Sequence, residues 1–149
     1  NAFKMAVEGE MWPSQSAKYI LWRYENYLHR NGKDGYKSLS PEDLRTMTIE
    51  HIMPQTLPEG PETGYDSFDG AEAESRRMSY TNQLGNYILI SGSHNSSIGN
   101  GCFSEKRKTY CYGYQQREIQ DMTEGRNYWT CADIDLQKKK IVAFVLEDL

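Results

Sequence analysis

The fold is decided by the stretch Ile49-Glu50-His51-Ile52-Met53-Pro54-Gln55, in which a carboxylate stands next to a histidine. Residues 47–52 lean towards β structure, and Pro54 cannot sit inside a central strand, so the pattern predicts a short strand that ends near His51. A carboxylate offers a hard oxygen ligand, and a histidine offers a base that titrates near neutral pH. The stretch therefore predicts a strand with candidate chemistry at its end.

A second apolar run, Tyr87-Ile88-Leu89-Ile90, follows Gly85-Asn86 and predicts a second short strand. Residues 91–101 are crowded with Ser, Asn and Gly, and they predict a polar turn that carries His94 and Asn95. The helical spacing of the aromatic residues predicts a helix over residues 103–116, which would carry the basic run 106–108. Asn95 at the start of that helix would add a second metal ligand, near free backbone N–H groups that favour a phosphate.

Helical patterns flank these pieces. An apolar stripe that begins at Ala17 predicts a helix over about residues 14–30, and a Thr130–Asp133 capping pattern predicts another over about 130–149. Between the two strands we expect a long surface loop over residues 55–70 and a helix over residues 71–84. The predicted fold class is α+β with helices dominant, and the length predicts one domain over residues 1–149.

Charge weakens a nucleic-acid interpretation without excluding it. The chain has 149 residues and a formal net charge of -4, from 17 basic and 21 acidic side chains. Residues 42–74 hold nine acids and one base, so that segment carries -8 and the remainder carries +4. A protein that binds DNA through bulk electrostatics is normally basic. The loop acids Glu59, Glu62, Asp66 and Asp69 have no ligand spacing, so we expect them to lie outside the metal site. We expect the loop to be mobile or folded away from the strands and the helix that would form the site.

Other classes of protein are excluded or disfavoured by composition. No run of about 18 apolar residues occurs, which excludes an integral membrane protein. The three cysteines form no C-x-x-C pair, so neither a zinc knuckle nor a disulfide framework is expected and a cytoplasmic location is the default. Because the chain begins with Asn1 and not with Met, we expect it to be a piece of a longer protein.

Four pieces of sequence occur in one order and together are similar to a known family. They are residues 49–55, residues 84–89 (Leu-Gly-Asn-Tyr-Ile-Leu), residues 95–100 and residues 103–106 (Phe-Ser-Glu-Lys). The sequence resembles the C-terminal domain of GmrSD-type modification-dependent restriction endonucleases, within the HNH (His-Me finger) nucleases. The resemblance implies a ββα-metal finger core over about residues 45–115, wrapped by flanking α-helices.

The resemblance also implies roles for residues at matching positions. His51 would be the general base that deprotonates the attacking water, and Glu50 and Asn95 would hold one divalent metal. Oxygen ligands favour Mg²⁺ or Mn²⁺. The family often has Asp before the His, where this chain has Glu50. A register shift of one residue would make His94 the ligand in place of Asn95.

Two further positions match the family. Asn86 corresponds to the residue that holds the loop carrying the base, and Lys106 corresponds to a basic position that could meet a phosphate. The resemblance implies DNA as the substrate, in particular modified foreign DNA. It also implies an N-terminal ParB-like, nucleotide-hydrolysing domain in the parent protein.

Three functions stay open at this level. The first is metal-dependent cleavage of DNA, the second is a binding or docking module that keeps the finger but has lost the chemistry, and the third is cleavage of RNA. Glu50 and His94, where the chain departs from the family pattern, keep the second function open. A geometric objection bears on the first. Neighbouring residues on a regular strand point to opposite faces, so Glu50 and His51 can share one site only if the strand ends, twists or bulges there.

Overall fold

A computed structural model describes residues 2–149 and contains eight helices and two strands in those residues. Short 3-10 turns occur at Asp66–Phe68, Ala71–Ala73 and Leu84–Asn86. The α+β fold class is confirmed. In chain order the elements are α1 (Ala2–Glu8), α2 (Gln15–Asn31), α3 (Pro41–Thr46), β1 (Thr48–His51), α4 (Glu74–Thr81), β2 (Tyr87–Ile90), α5 (Gly92–Ile98), α6 (Phe103–Thr109), α7 (Tyr114–Met122) and α8 (Cys131–Asp148).

The two strands form an antiparallel pair between two hydrophobic cores. Thr48 pairs with Ile90 and His51 pairs with Tyr87, so both strands end where they were predicted to end. Because successive residues of a strand point to opposite faces, β2 sends Tyr87 and Leu89 into one core and Ile88 and Ile90 into the other. Burial on both faces explains why β2 is a continuous apolar run.

Each core joins distant parts of the chain. The first lies between α1, α2, β2 and the C-terminal half of α8, and the second lies between β2, α6, α7 and the segment around Tyr65. The first consists of Val7, Ala17, Ile20, Leu21, Tyr24, Leu84, Tyr87, Leu89, Ile141, Val142, Phe144 and Val145. The second consists of Ile52, Met53, Tyr65, Phe68, Ile88, Ile90, Phe103, Tyr110, Ile119, Trp129 and Ile134.

The flanking helices begin at side-chain caps. The Ser14 hydroxyl accepts a hydrogen bond from the backbone N–H of Ala17 at the start of α2. At the start of α8, Thr130 and Asp133 form the predicted capping box, in which each side chain bonds the backbone of the other residue. Such caps satisfy backbone N–H groups that have no partner within the helix. Both predicted flanking helices are therefore confirmed.

Two predicted elements are wrong. The polar turn at residues 91–101 contains a helix, α5, because the Ser91 hydroxyl caps the backbone N–H of His94. The single helix predicted over residues 103–116 is two helices. α6 ends at Thr109, and α7 begins afresh because the buried Glu25 carboxylate accepts from the backbone N–H groups of Tyr114 and Gln115.

The loop at residues 55–70 is anchored against the residues that follow β1, so the expectation that it is mobile or folded away from them is wrong. Tyr65 and Phe68 are fully buried in the second core. The carbonyl of Thr63 accepts from the backbone N–H of Phe103 at 2.8 Å, and the carbonyl of Gly64 accepts from that of Trp129 at 2.9 Å. The loop's acids lie on the exposed outer side. The helix predicted at residues 71–84 is shorter, since only α4 is α-helical.

No helix within residues 2–149 is long and apolar enough to cross a membrane.

Candidate active site

Glu50 and His51 leave β1 on opposite faces. Both residues are in regular register, since Glu50 lies opposite Ile88 and His51 lies opposite Tyr87. The Glu50 side chain therefore enters the second core, and the His51 ring lies at the border of the first. β1 ends at His51, and no bulge turns the two side chains to the same face. The two side chains therefore point to opposite faces of β1, as the regular alternation along a strand predicts.

Glu50 lies in a buried polar cluster with Lys106 and Tyr110. Its Oε2 atom is 3.1 Å from the Lys106 ammonium and accepts from the Tyr110 hydroxyl at 3.1 Å. Glu50 is 3% exposed and Lys106 is fully buried. Burial raises the pKa of Glu50 and lowers the pKa of Lys106, while their mutual attraction opposes both shifts. The pair is held together because either charge alone would be costly to bury.

The His51 imidazole is half-buried and held at one nitrogen. Its Nε2 atom lies 3.0 Å from Oδ1 of Asn82, and its ring meets the Tyr87 ring edge-on with centroids 5.0 Å apart. Nδ1 makes no hydrogen bond to any residue that the structure describes. An amide oxygen can only accept, so this contact places the proton of the neutral ring on Nε2. Burial lowers the pKa of His51 and so favours the neutral ring.

The backbone after β1 is held at three successive residues. The His51 carbonyl accepts from Lys106 at 2.8 Å, and the Ile52 carbonyl accepts from the Tyr65 hydroxyl at 2.6 Å. The Asn86 side chain accepts from the N–H of Met53 at 2.8 Å and donates to its carbonyl at 2.9 Å. Asn86 is fully buried and its contacts hold the loop that follows His51.

Asn95 faces β1, and His94 does not. The Asn95 amide donates to the Thr48 hydroxyl at 3.0 Å and to the Ile49 carbonyl at 3.2 Å. His94 Nε2 instead lies 2.7 Å from the Thr109 hydroxyl at the end of α6. Thr48 and Glu50 are two residues apart on β1, so their side chains lie on the same face of the strand. Asn95 therefore contacts β1 on the face that carries Glu50.

Two side-chain oxygens next to β1, one on the strand and one on α5, lack a protein partner in the described residues. Residues 2–149 contain no cluster of three or more His, Cys, Asp or Glu side chains that could hold a metal ion. Both contacts of the Glu50 carboxylate use Oε2, and the Asn95 amide donates through Nδ2. Oε1 of Glu50 and Oδ1 of Asn95 therefore have no hydrogen-bond partner in the described part of the chain. These hard oxygens are the donor type that Mg²⁺ and Mn²⁺ take.

A cleft with a volume of about 640 Å³ lies beside α5. The residues that line it include Glu25, His94, Tyr112 and Gln116. Neither Glu50 nor His51 lines this cleft. Glu50 and His51 are therefore candidate site residues because of their contacts, and not because they line a cleft.

Two residues of the site were not predicted from the sequence. Tyr110 stands four residues after Lys106, a helical spacing that places two side chains on one face, and that signal could have found it. Asn82 has no sequence signal as a partner of His51, since the contact joins residues 31 positions apart.

Comparison with known proteins assigns the chain to a family. A family model described as GmrSD restriction endonucleases, C-terminal domain, matches residues 3–144. The chain belongs to this family. No curated protein matches the chain significantly. The resemblance inferred from the sequence is confirmed, and it now extends over the flanking helices of the GmrSD C-terminal domain as well as its paired strands.

Proposed function

We propose that this GmrSD C-terminal domain is a metal-dependent endonuclease that hydrolyses phosphodiester bonds in DNA, with His51 as the general base. The proposal rests on the hydrogen bonding of the His51 ring, in a chain that belongs to a restriction endonuclease family. One ring nitrogen is bound to Asn82, and the other has a free lone pair at the end of β1. A general base needs this combination of fixed orientation and an available lone pair.

The proton of the attacking water passes to Nδ1 of His51. The water oxygen forms a bond to phosphorus as the bond from phosphorus to the 3′ oxygen breaks. His51 is suited to this step because burial lowers its pKa and keeps the ring neutral. Asn86 orients and does not react, since each of its polar atoms is bound to the protein.

Glu50 and Asn95 would hold one Mg²⁺ or Mn²⁺ ion through Oε1 and Oδ1. Bound there, the ion would supply positive charge that stabilises the phosphate and the leaving 3′ oxygen. Asn95 is preferred to His94 because Asn95 contacts β1, whereas the His94 ring is bound to Thr109. An amide oxygen also suits a hard cation better than an imidazole does.

The proposed setting is an anti-phage restriction protein in the cytoplasm. The parent protein would carry an N-terminal ParB-like, nucleotide-hydrolysing domain that senses modified foreign DNA. With a net charge of -4, the domain as a whole does not attract DNA through bulk electrostatics. This charge suits a cutting module to which a partner domain delivers the substrate.

Plasmid cleavage at low salt, with Mg²⁺, Mn²⁺ or EDTA, tests the proposal. We expect nicked or linear DNA with either metal and intact plasmid with EDTA. We expect His51→Ala to reduce the rate by about 10²–10⁴-fold, the usual loss when a general base is removed. Normal cleavage by His51→Ala would exclude His51 as the base, and cleavage of RNA alone would change the substrate.

The metal ligand is tested by a matched pair of neighbours on α5. Asn95→Ala should lose Mg²⁺-supported cleavage, and His94→Ala should keep most of it. The reverse result would shift the register by one residue and would remove the argument for magnesium.

A second candidate function is favoured by one observation. Glu50 and His51 point to opposite faces of β1, and Glu50 is already paired with Lys106. This arrangement suits a domain that has kept the fold as a binding or docking module and has lost the chemistry. DNA binding in a gel-shift experiment, with no cleavage in either metal, would favour this second function.

A further inference from the structure

Lys106 is a fully buried lysine whose ammonium group touches the backbone and side chains of β1. Its Nζ atom lies 2.8 Å from the His51 carbonyl, 3.4 Å from the Ile52 carbonyl and 3.1 Å from Oε2 of Glu50. It is among the largest side chains with no exposed surface. One charged group is therefore in contact with both residues to which the proposed reaction assigns chemistry.

We propose that Lys106 is a positioning residue, which fixes the His51 backbone and the Glu50 carboxylate relative to each other and does not contact the substrate. A lysine ammonium has three hydrogens, and three acceptors surround this one. A phosphate would have to replace at least one of them. It would also have to reach a nitrogen with no exposed surface.

The contacts of Lys106 bear on both faces of β1. The salt bridge with Oε2 holds the Glu50 carboxylate so that Oε1 is the oxygen left without a protein partner. The bond to the His51 carbonyl fixes the last residue of the strand, from which the imidazole projects on the other face. A partner of this kind orients a group that does chemistry without taking part in the reaction.

The neighbouring basic residues of α6 differ from Lys106. Arg107 bonds Thr123 and the Gln120 carbonyl and so connects α6 to α7. Lys108 is exposed. Lys108→Met therefore removes the same charge from the same helix at an exposed position and serves as the matched control.

The inference rests on the proposed function, and kinetics separates positioning from phosphate contact. For Lys106→Met we expect kcat to fall by about 10- to 100-fold, the usual effect of losing an outer partner of a metal ligand. We expect the KM for DNA and the salt dependence of binding to stay unchanged. Lys108→Met should leave kcat unchanged.

A different kinetic result would overturn the inference. A phosphate contact would raise KM, reduce the slope of log K against log salt by about one and leave kcat near normal. Failure of the proposed function gives another pattern, in which His51→Ala itself cleaves normally.

Two measurements do not depend on cleavage. In the wild-type protein, an amine-acetylating reagent should modify Lys108 readily and leave Lys106 unmodified. In ¹⁵N-histidine spectra, Lys106→Met should shift the His51 ring signals, which are assigned by their loss in His51→Ala, and Lys108→Met should not. Equal acetylation of the two lysines, or His51 signals unchanged in a folded Lys106→Met protein, would contradict positioning. If Lys106→Met does not fold, the acetylation result decides.

Discussion

In the proposed reaction His51 is the general base, and its pKa lies below 6.5, the ordinary value for histidine, because burial disfavours the charged ring. The reaction needs the neutral ring, so a lowered pKa extends activity towards acid. We expect kcat/KM to be constant from neutral pH down to about 6.5 and to fall only below that value. The measurement is a pH–rate profile with Mg²⁺.

Glu50 requires a control in that profile, because its pKa is raised by burial and its protonation would weaken metal binding. A fall in rate that comes from Glu50 moves to lower pH when the metal concentration is raised. A fall that comes from His51 does not move. A decline that begins above pH 6.5 at saturating metal would contradict the assignment of the base.

Asn86 supports a second prediction at the scale of single residues. Its amide nitrogen donates to the carbonyls of Met53 and Thr81 at 2.9 and 3.0 Å. Asn86→Asp would place a buried carboxylate oxygen against those carbonyls and should reduce the free energy of unfolding by roughly 3–5 kcal/mol. Urea denaturation measures the change. Asn127→Asp, at an exposed position, should change it by less than about 0.5 kcal/mol.

The sequence provided candidate residues for the site, but it could not predict where all of them lie in the structure. The neighbouring carboxylate and histidine could be found because they are adjacent in the chain. The burial of Lys106 could not be predicted, because its acceptor on Glu50 is 56 positions away and is brought near only by folding. Without knowledge of the contact with Glu50, the basic run at residues 106–108 is typical of an exposed helix face.

The contact between the turn before β2 and helix α8 depends on one glycine. A Cβ atom at Gly85 would overlap the Ile134 carbonyl and lie 2.8 Å from the backbone nitrogen of Lys138. Gly85→Ala should therefore force α8 outwards and reduce the free energy of unfolding by about 1–3 kcal/mol. Gly92→Ala is the matched control at the start of α5. A Cβ there meets nothing within 4 Å, so stability should rise by up to about 1 kcal/mol. Equal losses in the two variants would contradict the close approach.

Helices and strands could be predicted from the sequence where a local pattern of residues determines them. The apolar run of β2 and the capping box of α8 are such patterns, and both elements form as predicted. The break between α6 and α7 was missed because Glu25, from α2, caps α7 from a distant part of the chain. Helix α5 was missed because Ile98 is its only apolar side chain, so it has no apolar stripe.

At the scale of the whole molecule, the exposed acids of the loop at residues 55–70 oppose the approach of DNA. They lie on the outer side of a segment whose Tyr65 hydroxyl is bound to the residue after His51. Glu59→Gln together with Glu62→Gln should lower the KM for DNA at low salt and leave kcat unchanged. Glu147→Gln with Asp148→Asn changes the net charge equally on α8 and should lower KM less. Equal effects would mean that only the total charge matters.

The edges of the strand pair have a consequence for self-association. On the outer edge of β1, the carbonyls of Ile49 and His51 accept from Asn95 and Lys106, and on β2 the N–H of Leu89 donates to the Gln115 side chain at 3.0 Å. A strand from another molecule needs such groups free in order to add to a sheet. Side chains of the domain already occupy these three groups, which makes either edge a poor template for the growth of a fibre from many copies of the chain.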